Sequence, residues 1–249
     1  MAETIVPESP ATPASKGLIA RFVGVLTSPR DTYADIARRP TWLGMWLLVT
    51  VVTTVCIGWL QSTPVGRVAA ADQAIKAIGV FAKQLPPERL DQIRTQIMTT
   101  PAWQNYAKIG AGSLIVVPII AAIMAGILIG VFNALMGGDA KFKQVYSLIF
   151  FSNAIMIVKT IFTTPLNYAR ESLSNPTTFA ALLPMLDEES LPAKMLGAID
   201  FFFLWWLVSV AIGLGVLYKR PTRGIATALI GIYVVLAVAI AAGVALIFG

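Results

Sequence analysis

The chain has 249 residues, 57% of them hydrophobic and only 13% charged, with a mean hydropathy of +0.75. A soluble domain carries about 25% charged residues, so the composition points to lipid as the main solvent. The sequence contains no His, which excludes Ser-His and Cys-His nucleophile pairs, His-containing zinc sites and His-ligated haem. The single cysteine, Cys56, excludes an intramolecular disulfide and a CxxC motif and reads as a small buried apolar residue.

The formal charge of +6 goes with no nucleic-acid motif, and the basic residues are spread over the segments between apolar runs. The distribution of positive charge across a membrane explains them better than nucleic acid does.

Residues 1 to 16 are rich in Pro, Ala, Ser and Thr and predict a disordered tail. They do not read as a cleavable signal, because the first long apolar stretch begins only at Leu43. Residues 17 to 41 form an amphipathic segment. Leu18, Phe22, Val25 and Leu26 sit at helical spacing, and Ser28-Pro29 then reads as the N-cap and first position of a second short helix carrying Tyr33 and Ile36. With Arg21, Arg30, Arg38 and Arg39 interleaved, this pair suits an anionic membrane surface. Packing on the protein's own cytosolic loops is the alternative.

Five apolar runs, near 43 to 60, 109 to 136, 145 to 166, 196 to 218 and 224 to 248, have about the 20 residues that a hydrocarbon core of about 30 Å requires. The expected fold is an all-α integral membrane protein: a five-helix transmembrane bundle over 42 to 249, with amphipathic N-terminal and extracytoplasmic helices. Trp42, Trp46 and Trp59 mark the ends of the first run, and Pro118 predicts a tilt or kink in the second. Between the first two runs, Val68, Ala71, Ile75, Ile78 and Phe81, then Leu90, Ile93 and Ile97 after Pro86-Pro87, predict two amphipathic helices. Residues 167 to 195, with Asn175-Pro176 and Asp187-Glu188-Glu189, read as a loop with a short helix.

Counting Lys and Arg with the N-terminus inside gives ten in 55 residues of inner segments and eight in 77 residues of outer ones. The basic turn Lys219, Arg220 and Arg223 holds no acid. The expectation is a cell-membrane protein with a cytoplasmic N-terminus and an external C-terminus.

Two ionisable residues, Lys159 and Asp200, fall inside the expected third and fourth spans. From the outer ends of those spans their depths are about 10 Å and about 6 Å at 1.5 Å per residue, a gap a lysine side chain bridges. Three readings are open: a structural ion pair that fixes helix register, two groups snorkelling separately to the interface, or part of an ion or proton path. Asn153 adds a polar group near mid-membrane. Ala122, Gly126, Gly130 and Ala134 recur every four residues in the second run, a pattern for close helix packing within the chain or between copies. Ala237, Ala241 and Ala245 do the same in the fifth.

No Walker-type or GxGxxG loop is present, and Gly137-Gly138-Asp139 reads as a helix C-cap and turn. The acids at 187 to 189 have no His or Cys partner for catalysis. No cofactor or metal is expected, and no nucleic acid. The expected partners are the lipid bilayer and, beyond it, other membrane proteins or further copies of the chain.

Three stretches resemble the bacterial branch of the Yip1 domain family. They are Ser28-Pro29 with Tyr33, Ile36 and Pro40; the double-glycine turn from Gly137 to Ser147; and Asp200-Phe201-Phe202-Phe203-Leu204-Trp205-Trp206 followed by Gly213, Gly215 and the basic turn. The likeness covers about 20 to 245. The DLYGP-type motif of eukaryotic members known for Golgi trafficking and Rab GTPase contact is missing from this sequence. The resemblance therefore implies a membrane-embedded bundle of about five spans and does not carry Rab contact with it. The function expected is a non-enzymatic membrane protein that organises partners or membrane shape; the alternative is a transporter or permease component using Lys159 and Asp200.

Overall fold

The computed structural model describes residues 16 to 78, 85 to 135, 137 to 183, 185 to 187 and 190 to 248. Of the expected tail, only Lys16 falls within them, and Phe81, Glu188 and Glu189 lie outside. The described residues are helical and contain no strand, only one isolated antiparallel bridge between Thr178 and Asp200.

The helices are α1 (Leu18–Thr27), α2 (Pro29–Arg38), α3 (Leu43–Ser62), α4 (Pro64–Ile78), α5 (Pro87–Thr99), α6 (Ala102–Ile129), α7 (Phe142–Ser152), α8 (Ala154–Ala169), α9 (Leu191–Gly197), α10 (Phe201–Leu217) and α11 (Thr222–Phe248). Local chemistry sets several of their ends. Pro29 occupies the first turn of α2, with Asp31 near its start and Arg38 in its last turn, both complementing the helix dipole. Ser28 stands at the N-cap, although its side chain makes no cap bond. The Gln144 side chain accepts from the Lys141 amide at 2.8 Å and closes the start of α7. The α6 helix ends in a π-helical turn, Gly130–Leu135, and the chain reverses through Gly137, whose φ of +69° is the left-handed conformation that favours glycine.

Four helices are long and apolar enough to cross a membrane: Leu43–Ser62, Ala102–Ala134, Phe142–Ala169 and Thr222–Ala245. The helix α10 has 17 residues, about 25 Å, and falls short of that length. The expected second span begins earlier than its apolar run, because Ala102 to Lys108 stay helical beyond Pro101. The expected fourth span, 196 to 218, is two helices. Its first residues close the short α9, and the chain is extended at Asp200 before α10 begins.

The core is built around α7 and α10. All of Val145 to Ser152 is buried, and it faces Trp206, Leu207, Val210, Ala211 and Leu214 of α10. A Cβ on Gly213 would lie 2.6 Å from the Leu148 side chain, so these two helices meet where only glycine fits. Against α3, α6 packs through Gly58 and Tyr106, and Ser113 donates to Thr50 at 3.3 Å. By contrast α11 leans on α9 and α10 and exposes Ile232, Val235, Leu236, Ile240 and Val244.

The amphipathic segment, α1 and α2, forms a hairpin with one face packed on α7, α8 and α10 rather than on loops, while Ile19 and Val23 stay exposed. Thr32, Tyr33, Asp35 and Ile36 are buried against α7 and α10. Its arms are held by positions symmetric about Ser28: Gly24 lies against Thr32, four residues to either side, and Arg21 against Asp35, seven to either side.

Candidate functional site: the intramembrane polar nodes

The structure brings Lys159 and Asp200 together, with Lys159 Nζ donating to Asp200 Oδ2 at 2.8 Å. Asp200 is not four residues inside a helix, as the apolar run suggested; it is the N-cap of α10, and its Oδ1 accepts from the Phe203 amide at 2.8 Å. Asn175 Nδ2 and Thr177 Oγ1 also donate to Oδ2, each at 2.6 Å. The backbone around the cap is tied as well. The Phe201 amide donates to the Thr177 carbonyl at 3.0 Å, and the Asp200 amide donates to Tyr233 Oη at 3.1 Å. Tyr233 in turn donates to the Ala198 carbonyl at 2.9 Å.

One carboxylate therefore joins α8, the loop 170 to 190 and α10, and the Asp200 amide ties in α11 through Tyr233. The carboxylate's charge is fully used by its donors. The Lys159 side chain keeps 24% of its exposure, against 9% for Asp200.

A middle node accounts for Asn153. This residue ends α7 and opens α8, and its Oδ1 accepts from Trp206 Nε1 at 2.9 Å. Close by, Tyr33 Oη lies 2.7 Å from Ser152 Oγ and 2.6 Å from Ser209 Oγ. Ser152 also donates to the Leu148 carbonyl at 3.0 Å. Burial pushes the Tyr33 phenol up to about 12, against the pull of the two serine contacts, so it stays neutral at ordinary pH.

The third node, at the α1–α2 hairpin, is a second ion pair. Arg21 Nε donates to Asp35 Oδ2 at 2.8 Å, Arg21 Nη1 donates to Thr41 Oγ1 at 2.8 Å, and the guanidinium lies 5.7 Å from the centre of the Phe151 ring. Sequence reasoning missed this pair because both residues sit in a segment rich in charge. Their equal spacing from Ser28-Pro29 is the signal that an antiparallel helical hairpin would have brought them face to face.

The small-residue stripe is placed differently. The buried positions in the second half of α6 are Ala121, Ala125 and Leu128, followed by Phe132 in the π-helical turn, one or two residues before Ala122, Gly126, Gly130 and Ala134, of which Ala122 packs partly against the core. A Cβ on Gly126 or Gly130 would meet nothing within 4 Å, so within one chain those two glycines face away from the other described helices. The basic turn is exposed at Lys219, Arg220 and Arg223, with Lys219 in a left-handed conformation at φ +51°. It is anchored by Tyr218, which donates to Asn133 Oδ1 at 2.8 Å and stacks on Phe132.

Among the described residues no group of three His, Cys, Asp or Glu side chains could hold a metal ion. Comparison with known proteins finds that the model of the Yip1 domain matches residues 23–245. No curated protein and no solved structure matches the chain.

Proposed function

The chain belongs to the Yip1 domain family, and from that premise we propose that it is a non-enzymatic multi-pass membrane protein that organises partners in the bilayer. The family is not an enzyme family. What carries the reading is the way Asp200 is used. Three side-chain donors and a backbone amide consume its charge, so the costly intramembrane pair holds helices in register and receives no solute. None of the cavities that open among the described residues at α4 and α5, at the double-glycine turn or between α6 and α11 is lined by Lys159 or Asp200.

The surface assigned to a partner is the stripe Ala122, Gly126, Gly130 and Ala134, whose small side chains permit another helix to approach closely. The bilayer around the spans is the cell membrane. The excess of basic residues in segments 1 to 42, 137 to 144 and 219 to 223 puts the N-terminus in the cytoplasm and, with α10 counted as a fifth crossing, the C-terminus outside. Cysteine cross-linking tests the partner surface. In a Cys56→Ala background, Gly126→Cys or Gly130→Cys should give a disulfide-linked dimer in native membranes, while Leu114→Cys, exposed but about 120° around α6 from Gly126, should not. Equal cross-linking at all three positions, or at none, would remove the stripe from the account.

A further inference from the structure

Between α6 and the first turns of α11 runs a groove of about 510 Å³ whose chemistry changes along its length. Met124, Ile127, Val131, Ala228, Leu229 and Ile232 give it apolar walls, and Arg220 stands at its end. Gly224 leaves room there, since a Cβ on it would meet nothing within 4 Å. At that end the double-glycine turn and the α10–α11 turn line one cavity, with Asp139 beside Lys219 and Arg220, and segments 137 to 144 and 219 to 223 hold Lys141, Lys143, Lys219, Arg220 and Arg223 against the single acid Asp139. The Tyr218 bond to Asn133 fixes that turn beside the end of α6.

We infer that this groove seats one acyl chain of an anionic glycerophospholipid, with the headgroup phosphate held at the Arg220 and Arg223 turn. Size argues against a protein helix as the occupant. A helix about 10 Å across with a 1.5 Å rise fills about 120 Å³ per residue, so the groove would take only about four residues. Charge argues for an anionic headgroup over a neutral one, because basic pockets between membrane helices recognise anionic headgroups. The start of α11 at Thr222 adds the partial positive charge of a helix N-terminus at the same level. The apolar walls separate a lipid from a free phosphate, which would use the turn alone.

The full chain purified in detergent and mixed with equal amounts of dioleoyl phosphatidylglycerol and dioleoyl phosphatidylcholine tests this by native mass spectrometry. The wild type should retain phosphatidylglycerol over phosphatidylcholine. R220Q with R223Q should weaken that preference about fivefold for each charge removed, and R220K with R223K should keep most of it. Gly224→Leu with Ala228→Trp fills the groove and should remove both lipids. A phosphatidylglycerol carrying a photoreactive group on its acyl chain, used on the unaltered protein, should label peptides within 124 to 131 and 224 to 232, which keeps the proposal testable should the filled groove fail to fold. Equal retention of the two lipids by the wild type overturns the proposal, as does label elsewhere. An unchanged preference in a double glutamine variant that elutes and melts like the wild type also overturns it. Displacement of the lipid by millimolar inorganic phosphate would show a free-anion site instead. A filled groove that leaves lipid bound but changes the oligomeric state would assign the face to a second copy.

Discussion

Among the described residues, two ion pairs of equal length tie helices of this bundle together, and they are held in different ways. Arg21 and Asp35 join the arms of the α1–α2 hairpin, with both side chains under a tenth exposed, and the guanidinium is closed in by Thr41 and Phe151. Lys159 and Asp200 join a span to a loop, and there the partners are unequal: the ammonium keeps a quarter of its exposure while the carboxylate serves four donors. In the first pair each charge depends on the other. In the second, the acceptor matters more than the cation, because Asn175, Thr177 and the Phe203 amide still hold the carboxylate without Lys159, while a helix cap without its oxygen has no substitute.

This asymmetry predicts a ranked set of effects on melting in detergent. The largest belongs to the hairpin pair. Asp35→Ala leaves a buried guanidinium without its counter-charge and should cost about 3 to 5 kcal/mol, while Arg21→Met with Asp35→Leu should recover most of that loss. Equal damage from the double replacement would mean that the hairpin depends on the charges themselves rather than on their mutual neutralisation.

The Asp200 node comes next. Asp200→Ala loses the cap and the loop anchors and should cost about 2 to 3 kcal/mol, whereas Lys159→Met should cost less than about 1 kcal/mol. Equal effects would erase the distinction between the two pairs. Tyr33→Phe strips Ser209 of its bonding partner and Ser152 of one of two, and should cost about 1 to 2 kcal/mol without changing the fold. Near-neutrality would place Tyr33 in the core for its ring alone.

The two pairs were not equally legible in the sequence. Lys159 and Asp200 stand out because they interrupt apolar runs, and a charge in such a run is conspicuous whatever the fold. Arg21 and Asp35 are one basic and one acidic residue among several, and local periodicity makes them the polar face of a surface helix. Only the packing of Tyr33 and Ile36 against α7 and α10 turns that face inward, and tertiary packing of this kind leaves no local trace except the symmetry about Ser28. The same limit explains the fourth span. Residues 196 to 199 are apolar enough to read as its beginning, but the bonds of Thr177 and Phe179 to the chain at 199 to 201 hold it extended there and move the helix start to Phe201. The stripe on α6 was visible as a pattern. Which neighbour it meets depends on packing that a one-dimensional period does not carry.

The account rests on Lys159 and Asp200 being structural. The most direct test is a double-mutant cycle with Lys159→Met and Asp200→Asn, reading melting temperature together with counterflow of ions and small solutes in liposomes. The account predicts a measurable coupling energy and no flux through the wild type. Wild-type flux that disappears when either charge is replaced, with folded yield unchanged, would contradict it and make the pair a transport site.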